Sequence, residues 1–395
     1  MNELSKLLSL TEAEKSARGL LFTPREIAQQ PETWASTRRT FEMHSKEIAD
    51  FLRAAGAQRD PAARPAILLI GAGTSDYIGK ALAPLFKRKW RSPAEAVPST
   101  DLLTEMDDLI AAEENYLWIS FSRSGDSSEG VAVIRAALEK YQNVYHFIVT
   151  CNRHGAMARD FAGEQRVYCL TLPEEVNDRG LAMTSSFSNM VVAGQCLAHV
   201  GDENADYTGV FEALGRAGEK LLRSTAVDTA ADLARANFSK ICFLGTGALR
   251  AVAIESALKV LELTGGKIHT FSESYLGLRH GPLSAIDRET LVVGFLSADA
   301  RRRSYEADLL EDIRRKSLAG EILTVAPHFA DARAVGENTV TIDVPPYIPD
   351  VYRVPVDVIF GQLFGLFASL ENGLKPDTPS PTGAISRVVE SVTVY

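Results

Sequence analysis

Cysteine is scarce in this sequence. Its four residues, Cys151, Cys169, Cys196 and Cys242, form no C-x-x-C pair, and each lies in or beside an apolar run. That excludes a disulfide framework and reads as buried, reduced thiols in a cytosolic protein. Histidine is sparse too. None of the seven forms H-x-H or H-E-x-x-H, so no metal site is expected. An excess of positive charge is also missing. The net charge is −9 and the pI about 5.4, which argues against a nucleic-acid partner. The one compact basic run, Arg301-Arg302-Arg303, reads as a solvated loop. No uninterrupted apolar run reaches membrane-spanning length. Met1 to Lys15 lacks the basic start and apolar block of a secretory signal, so no membrane partner and a cytoplasmic location are expected.

What is present is 395 residues, 46% hydrophobic and 24% charged, enough for two or three globular domains. Short apolar runs at 67–70, 117–121, 145–150 and 167–171 alternate with helical patterns near 76–90, 129–141 and 182–200. Strands that are apolar on nearly every residue, separated by helices, predict a parallel sheet covered on both faces.

The chain also resembles itself. Ile67 to Gly73 (ILLIGAG) is echoed by Ile241 to Gly247 (ICFLGTG), 174 positions on, and Leu117 to Phe121 is echoed by Leu291 to Phe295 at the same offset. The fold class expected is therefore α/β, with two tandem doubly wound parallel-sheet domains, each a three-layer α/β/α unit. The boundaries expected are a helical segment at 1–50, domains at 51–205 and 206–375, and a C-terminal tail at 376–395. Over residues 1–60, helices are predicted at 12–18, ended by Gly19, at 24–30, and from Pro31 to Ala55.

Three hydroxyl-rich turns open helical patterns. Gly71-Ala72-Gly73-Thr74-Ser75 follows a strand and lacks the third Gly of a dinucleotide fingerprint, since Asp76 stands there. Ser122-Arg123-Ser124-Gly125-Asp126-Ser127 ends the next strand. One Ser suffices for a helix cap, and the matching place in the second half, Leu296 to Ala300, has no such density. An anion, best read as a phosphate, fits that turn. Met183-Thr184-Ser185-Ser186 is the third cluster. Farther on, Glu255, Lys259 and Glu262 share one helical face, where Glu255–Lys259 reads as a surface pair and Glu262 reads as a solvated glutamate or, if its apolar neighbours bury it, as a group suited to proton transfer. His280 precedes a Gly-Pro turn and is a candidate acid/base.

Taken together, these pieces resemble the tandem sugar isomerase (SIS) fold, as in the isomerase half of glucosamine-6-phosphate synthase without its glutamine-hydrolysing domain. The elements that carry the resemblance are Glu26-Ile27 with Gln30-Pro31, Gly73-Thr74-Ser75, Ser122-x-Ser124-Gly125, Glu255 to Glu262, Arg279-His280-Gly281-Pro282-Leu283 with Ile286-Asp287, and Ser391 to Val394. Ile70 to Asp76, Ser122 to Asp126 and Ala182 to Ser188 further resemble the AgaS-type family of galactosamine-6-phosphate deaminase/isomerases, historically tagatose-6-phosphate ketose/aldose isomerases.

The resemblance implies that Thr74, Ser122, Ser124 and Ser127 hold a sugar phosphate, with Gly73, Ser75, Arg123 and Lys259 in the same binding set. Glu262 would move a proton between C1 and C2. His280 would open the ring, in a site shared between subunits of a homodimer or higher homo-oligomer. Thr184 and Ser185 would contact the sugar. No metal or organic cofactor is implied. One departure matters: the synthase lysine used for an imine is Glu390 here, and the nearest basic residue is Arg387. A route through an enediol or enolamine fits better. The Gln between the phosphate-site serines is Arg123, which can pair a phosphate or an acidic neighbour. The expected activity is conversion of galactosamine 6-phosphate to tagatose 6-phosphate and ammonia. The alternatives are a glucosamine-6-phosphate deaminase, an aldose–ketose isomerase, or a sugar-phosphate sensor without catalysis.

Overall fold

The computed structural model describes residues 1–201, 207–331, 333–380, 382–383, 385–387 and 392–393. Two parallel sheets organise the chain. The first comprises β1 (Ala66–Gly71), β2 (Ala94–Pro98), β3 (Tyr116–Ser122), β4 (Val144–Thr150) and β5 (Val167–Thr171), in the order β2-β1-β3-β4-β5. The second comprises β6 (Lys240–Leu244), β7 (His269–Glu273), β8 (Thr290–Phe295), β9 (Glu321–Pro327) and β10 (Asn338–Ile342), in the order β10-β9-β8-β6-β7. Renumbered within each half, both read 2-1-3-4-5. The repeat legible in the sequence is therefore a repeat of topology.

The central strands form because they are apolar on both faces. All seven residues of β3 are buried, as are all six of β8. One face of the first sheet packs Leu68, Ile70 and Trp118 against Leu102, Val133 and Ala137 of its helices. In the second sheet Leu244 and Val292 pack with Tyr275, Leu309 and Leu310. The duplication reaches the backbone. Gly73 has φ 55° and ψ −127°, and Gly247 has φ 60° and ψ −126°, a conformation closed to side chains with a Cβ.

The residues cluster into two compact units that are not contiguous in sequence. One holds 32–177, 185–207 and 386–395 around the first sheet. The other holds 1–31, 178–184 and 208–385 around the second.

Several local expectations are corrected. The helix expected over 31–55 is two helices, Gln30–Met43 and Ser45–Ala54, separated at His44, whose ψ of 10° leaves the helical range. The pattern placed at 182–200 becomes the fully buried helix Ser185–Ala198. β2 carries too little signal to be read, because only Val97 on it is buried. The helices Glu3–Leu8 and Ser99–Leu109 also went unforeseen. Helix Glu12–Arg18 does end at Gly19, and a reciprocal Thr11–Glu14 capping box starts it.

Helix Asp350–Glu371 is long and apolar enough to cross a membrane, and most of it is buried inside its unit, as a core helix is. Its charges are paired there: the fully buried Arg353 guanidinium reaches Asp357 Oδ1 at 2.6 Å.

Candidate active site

In a sheet of order 2-1-3-4-5 the order in which strands are laid down reverses between the first and third strands. Ligands sit beyond the carboxyl ends of the strands at that point. In the first sheet this is where β1 runs into Gly71–Ser75 and β3 into Ser122–Ser127.

The serine turn is shaped from within. Ser122 Oγ accepts from Gly125 N–H at 3.0 Å, and Ser124 Oγ accepts from Asp126 N–H at 3.2 Å. Both hydroxyls act there as acceptors, so each keeps its own proton to donate outward. Gly125 has φ +65°, and a Cβ on it would lie 2.9 Å from Thr150 Oγ1. Ser127 caps helix Ser128–Lys140 by accepting from Gly130 N–H. The hydroxyls of Ser127 and Ser128 both donate to Glu129 Oε2 at 3.1 Å. An anion reaching Ser127 therefore has to turn that carboxylate aside. Thr74 and Ser75 open helix Thr74–Trp90 and are buried, as is Asp76, which pairs with Lys80 and whose pKa burial raises.

Arg123 is buried beside these serines, and its guanidinium donates to the Arg387 carbonyl. Arg387 in turn donates to Asn177 Oδ1 at 2.6 Å, and Val392 N–H donates to Ser128 Oγ at 3.1 Å. Arg387 and Val392 of the C-terminal segment thus lie against the serine turn and the helix start after it. Glu390, the residue in the synthase lysine position, lies outside the described residues.

In the unit of the second sheet, helix Ala248–Leu263 follows Gly247. It carries Lys259, whose side chain is only 1% exposed, with its ammonium 3.3 Å from Glu255 Oε1 and 2.5 Å from Glu262 Oε2. Burial works to lower the Lys259 pKa, but the two carboxylates outweigh it and hold the group above the ordinary lysine value. Glu262 remains 23% exposed, the one member of the triad that reaches solvent. The Glu255–Lys259 pair, read from the sequence as a surface contact, is buried instead, because helix Asp350–Glu371 packs on this helix. His280 follows the short helix Tyr275–Leu278 and is exposed. Its N–H donates to the Gly277 carbonyl, and the neighbouring Arg279 pairs with Asp312.

Thr184 and Ser185 are fully buried. Thr184 N–H donates to Asp178 Oδ2 at 2.7 Å, and its carbonyl accepts from Gln362. In the other unit, Ser185 Oγ lies 3.3 Å from Thr33 Oγ1 and accepts from Asn189. A carboxylate group with no role in the sequence reading lies beside Thr184. Glu26 accepts from the N–H groups of Arg179 and Gly180, and Asp377 accepts from those of Leu21, Phe22 and Thr23. Burial, with Asp178 and Asp377 nearby, pushes Glu26 up to about 8. Its place in the matched Glu26-Ile27 motif was the only signal available.

Among the described residues, no group of three or more His, Cys, Asp or Glu is arranged to hold a metal ion. All four cysteines are unbridged, and burial pushes Cys169 up to about 11 and Cys196 up to about 12.

The repeated 2-1-3-4-5 sheet and the hydroxyl turn define an SIS-type protein. A model of the SIS domain matches residues 62–200. The chain is 37% identical to the AgaS protein of Streptomyces coelicolor over 94% of its own length and 95% of that protein's. It is 35% identical to the D-galactosamine-6-phosphate deaminase AgaS of Escherichia coli, covering 95% of each. Among solved structures it matches the tagatose-6-phosphate ketose/aldose isomerase of Escherichia coli, with TM-score 0.83, 34% identity, and coverage of 90% of this chain and 94% of that one. The chain belongs to the AgaS family of SIS-domain proteins.

Proposed function

We propose that the chain deaminates and isomerises D-galactosamine 6-phosphate, giving tagatose 6-phosphate and ammonia. The observation that carries this reading is the turn at the end of β3, where Ser122 and Ser124 use the turn's own N–H groups as donors and keep their protons for an incoming phosphate. The full-length relatives named as D-galactosamine-6-phosphate deaminases supply the substrate class.

In this reading Ser122, Ser124 and Thr74 grip the phosphate, with Gly73 and Ser75 shaping the turn and Ser127 joining when Glu129 swings away. Arg123 acts through the C-terminal segment it holds. Thr184 and Ser185, expected to contact the sugar, are fully buried with protein neighbours at their hydroxyls, and in this reading each holds its own segment instead. His280 passes a proton between O1 and the ring oxygen and so opens the pyranose. Glu262, held by Lys259, takes the C2 proton and returns it to C1. The enolamine formed in between becomes an imine at C2, and water adds there and expels ammonia. Substrate and water together balance ketose phosphate and ammonia. No step calls on an imine with the protein. The exposure of His280 supports its supply to the site of a second copy in a homo-oligomer. Phosphorylated sugars and unbridged thiols support a cytoplasmic setting.

The test is ammonia release from galactosamine 6-phosphate. A folded protein that releases none, with Glu262→Gln indistinguishable from it, ends this reading. A second reading, aldose–ketose isomerisation without deamination, is favoured by the solved relatives that carry the tagatose-6-phosphate isomerase name. It predicts interconversion of tagatose 6-phosphate with its aldose and no ammonia. Parallel rates on glucosamine 6-phosphate settle the configuration at C4.

A further inference from the structure

The second sheet has the same reversal point, between β6 and β8. There the chain passes through Gly245-Thr246-Gly247 and through Ser297-Ala298-Asp299, the counterparts of the phosphate-type turns of the first sheet. The donors of that second cradle are present but already taken by carboxylates. Ser297 N–H donates to Glu306 Oε2 at 2.8 Å. Ala298 N–H donates to Asp350 Oδ1 at 2.7 Å, and the Ser297 hydroxyl donates to Asp350 Oδ2. Two guanidiniums complete the shell, Arg353 at 3.2 Å and Arg302 at 3.3 Å from Asp350.

This is a built oxyanion site. Ser297, Glu306 and Arg353 have no exposed surface and Asp350 only 2%. One main-chain N–H, a hydroxyl and two guanidiniums converge on the Asp350 carboxylate, the kind of donor set with which proteins hold phosphate and sulfate. Asp350 also opens helix Asp350–Glu371, where a negative charge is favoured.

The first copy differs at the matching places. Glu306 corresponds to Ala132 at the constant offset and to Ile134 when counted from the helix starts, and neither carries charge. The loop N–H groups of Gly125 and Asp126 go to serine hydroxyls rather than to carboxylates. Glu129 takes only the two hydroxyls at the far end of that turn and is partly exposed.

We propose that the second copy of the repeat is an oxyanion site permanently occupied by the chain's own Asp350, with Glu306 beside it, and that removing the Asp350 carboxylate opens it to a small oxyanion such as phosphate or formate. The number of ligands per chain rests on the proposed role of the serine turn. The gain on removing Asp350 does not.

The test counts inorganic phosphate bound per chain by equilibrium dialysis and follows the thermal midpoint with phosphate or formate added. Wild type is expected to bind one phosphate and Asp350→Ala two, with added oxyanion recovering at least half of the midpoint lost by the substitution. Asp350→Ser, which vacates the space of the carboxylate and keeps a small polar side chain there, is the variant to read if the alanine does not fold. Its midpoint is expected to rise with either anion by more than that of wild type. Two phosphates on wild type overturn the proposal, as does a folded Asp350 variant that gains no site and no midpoint from either anion. A wild type that binds none while Asp350→Ala binds one removes the serine-turn reading and leaves this one standing.

Discussion

The Lys259 ammonium lies 2.5 Å from Glu262 and 3.3 Å from Glu255 on the same helix. One of those carboxylates is wholly buried and the other reaches solvent, so the lysine is both a buried counter-ion and the anchor of an accessible acid/base. The two roles separate by substitution. Lys259→Met leaves Glu255 buried without its cation and is expected to cost about 3–5 kcal/mol in urea unfolding. Glu262→Gln leaves the Lys259–Glu255 pair in place. It is expected to unfold near the wild-type midpoint and to lose about 10²–10⁴-fold in ammonia release.

The serine turn makes a different prediction. Loss of hydrogen bonds to a charged phosphate costs about 1.5–3 kcal/mol. Ser122→Ala and Ser124→Ala are therefore expected to raise KM for the 6-phosphate sugar by at least roughly tenfold and to change kcat less. Ser127→Ala removes a helix cap and is expected to cost about 1 kcal/mol of stability as well. Gly125→Ala, strained at φ +65° and crowded by Thr150, is expected to unfold earlier than either serine variant.

Glu26 gives a pH dependence. Its folded pKa, about 8, lies above the ordinary carboxylate value of 4.5, so the folded chain holds a proton that the unfolded chain releases. Stability from this group is complete below about pH 4.5 and declines as pH rises toward 8, by at most about 1.4 kcal/mol per pH unit. Glu26→Gln is expected to flatten that decline in denaturant midpoints measured from pH 5 to 8. An unchanged slope would show that the carboxylate enters the fold ionised.

His146 acts on the acid side. It is fully buried on β4 with its ring edge-on to Trp118, and burial lowers its pKa to about 3. The unfolded histidine protonates near 6.5 and the folded one does not, so stability drains as pH falls through that window. His146→Leu is expected to remove the loss, about 2 kcal/mol at pH 5, when the melting of both proteins is compared at pH 5 and pH 7.

The proposed sharing of the site predicts complementation. His280→Ala and Glu262→Gln homo-oligomers are each expected to be nearly inactive. Refolded or co-expressed together, they are expected to regain a measurable fraction of ammonia release, since one mixed site then holds both native groups. Activity of the mixture equal to the mean of the two inactive proteins would place both groups in a single copy.

The central strands were legible because they are buried on both faces and so read as unbroken apolar runs. The edge strand β2, with only Val97 buried, carried no such pattern. The serine turn was legible because several hydroxyls exceed what a cap requires. The helix break at His44 was not, because no Pro or Gly marks it.

Sequence by itself determined the repeat, since a 174-residue offset in apolar runs and glycines repeats the same backbone demands, seen in the matching angles of Gly73 and Gly247. Tertiary structure alone decided which charges are buried and with whom. Lys259 read as a surface lysine until helix Asp350–Glu371 covered it, and only the fold brings Ser297, Ala298 and Arg353 around Asp350. The reason is physical: periodicity records which face of a segment avoids water, while the element that covers a charge, as helix Asp350–Glu371 covers Lys259, comes from residues tens of positions away in the chain.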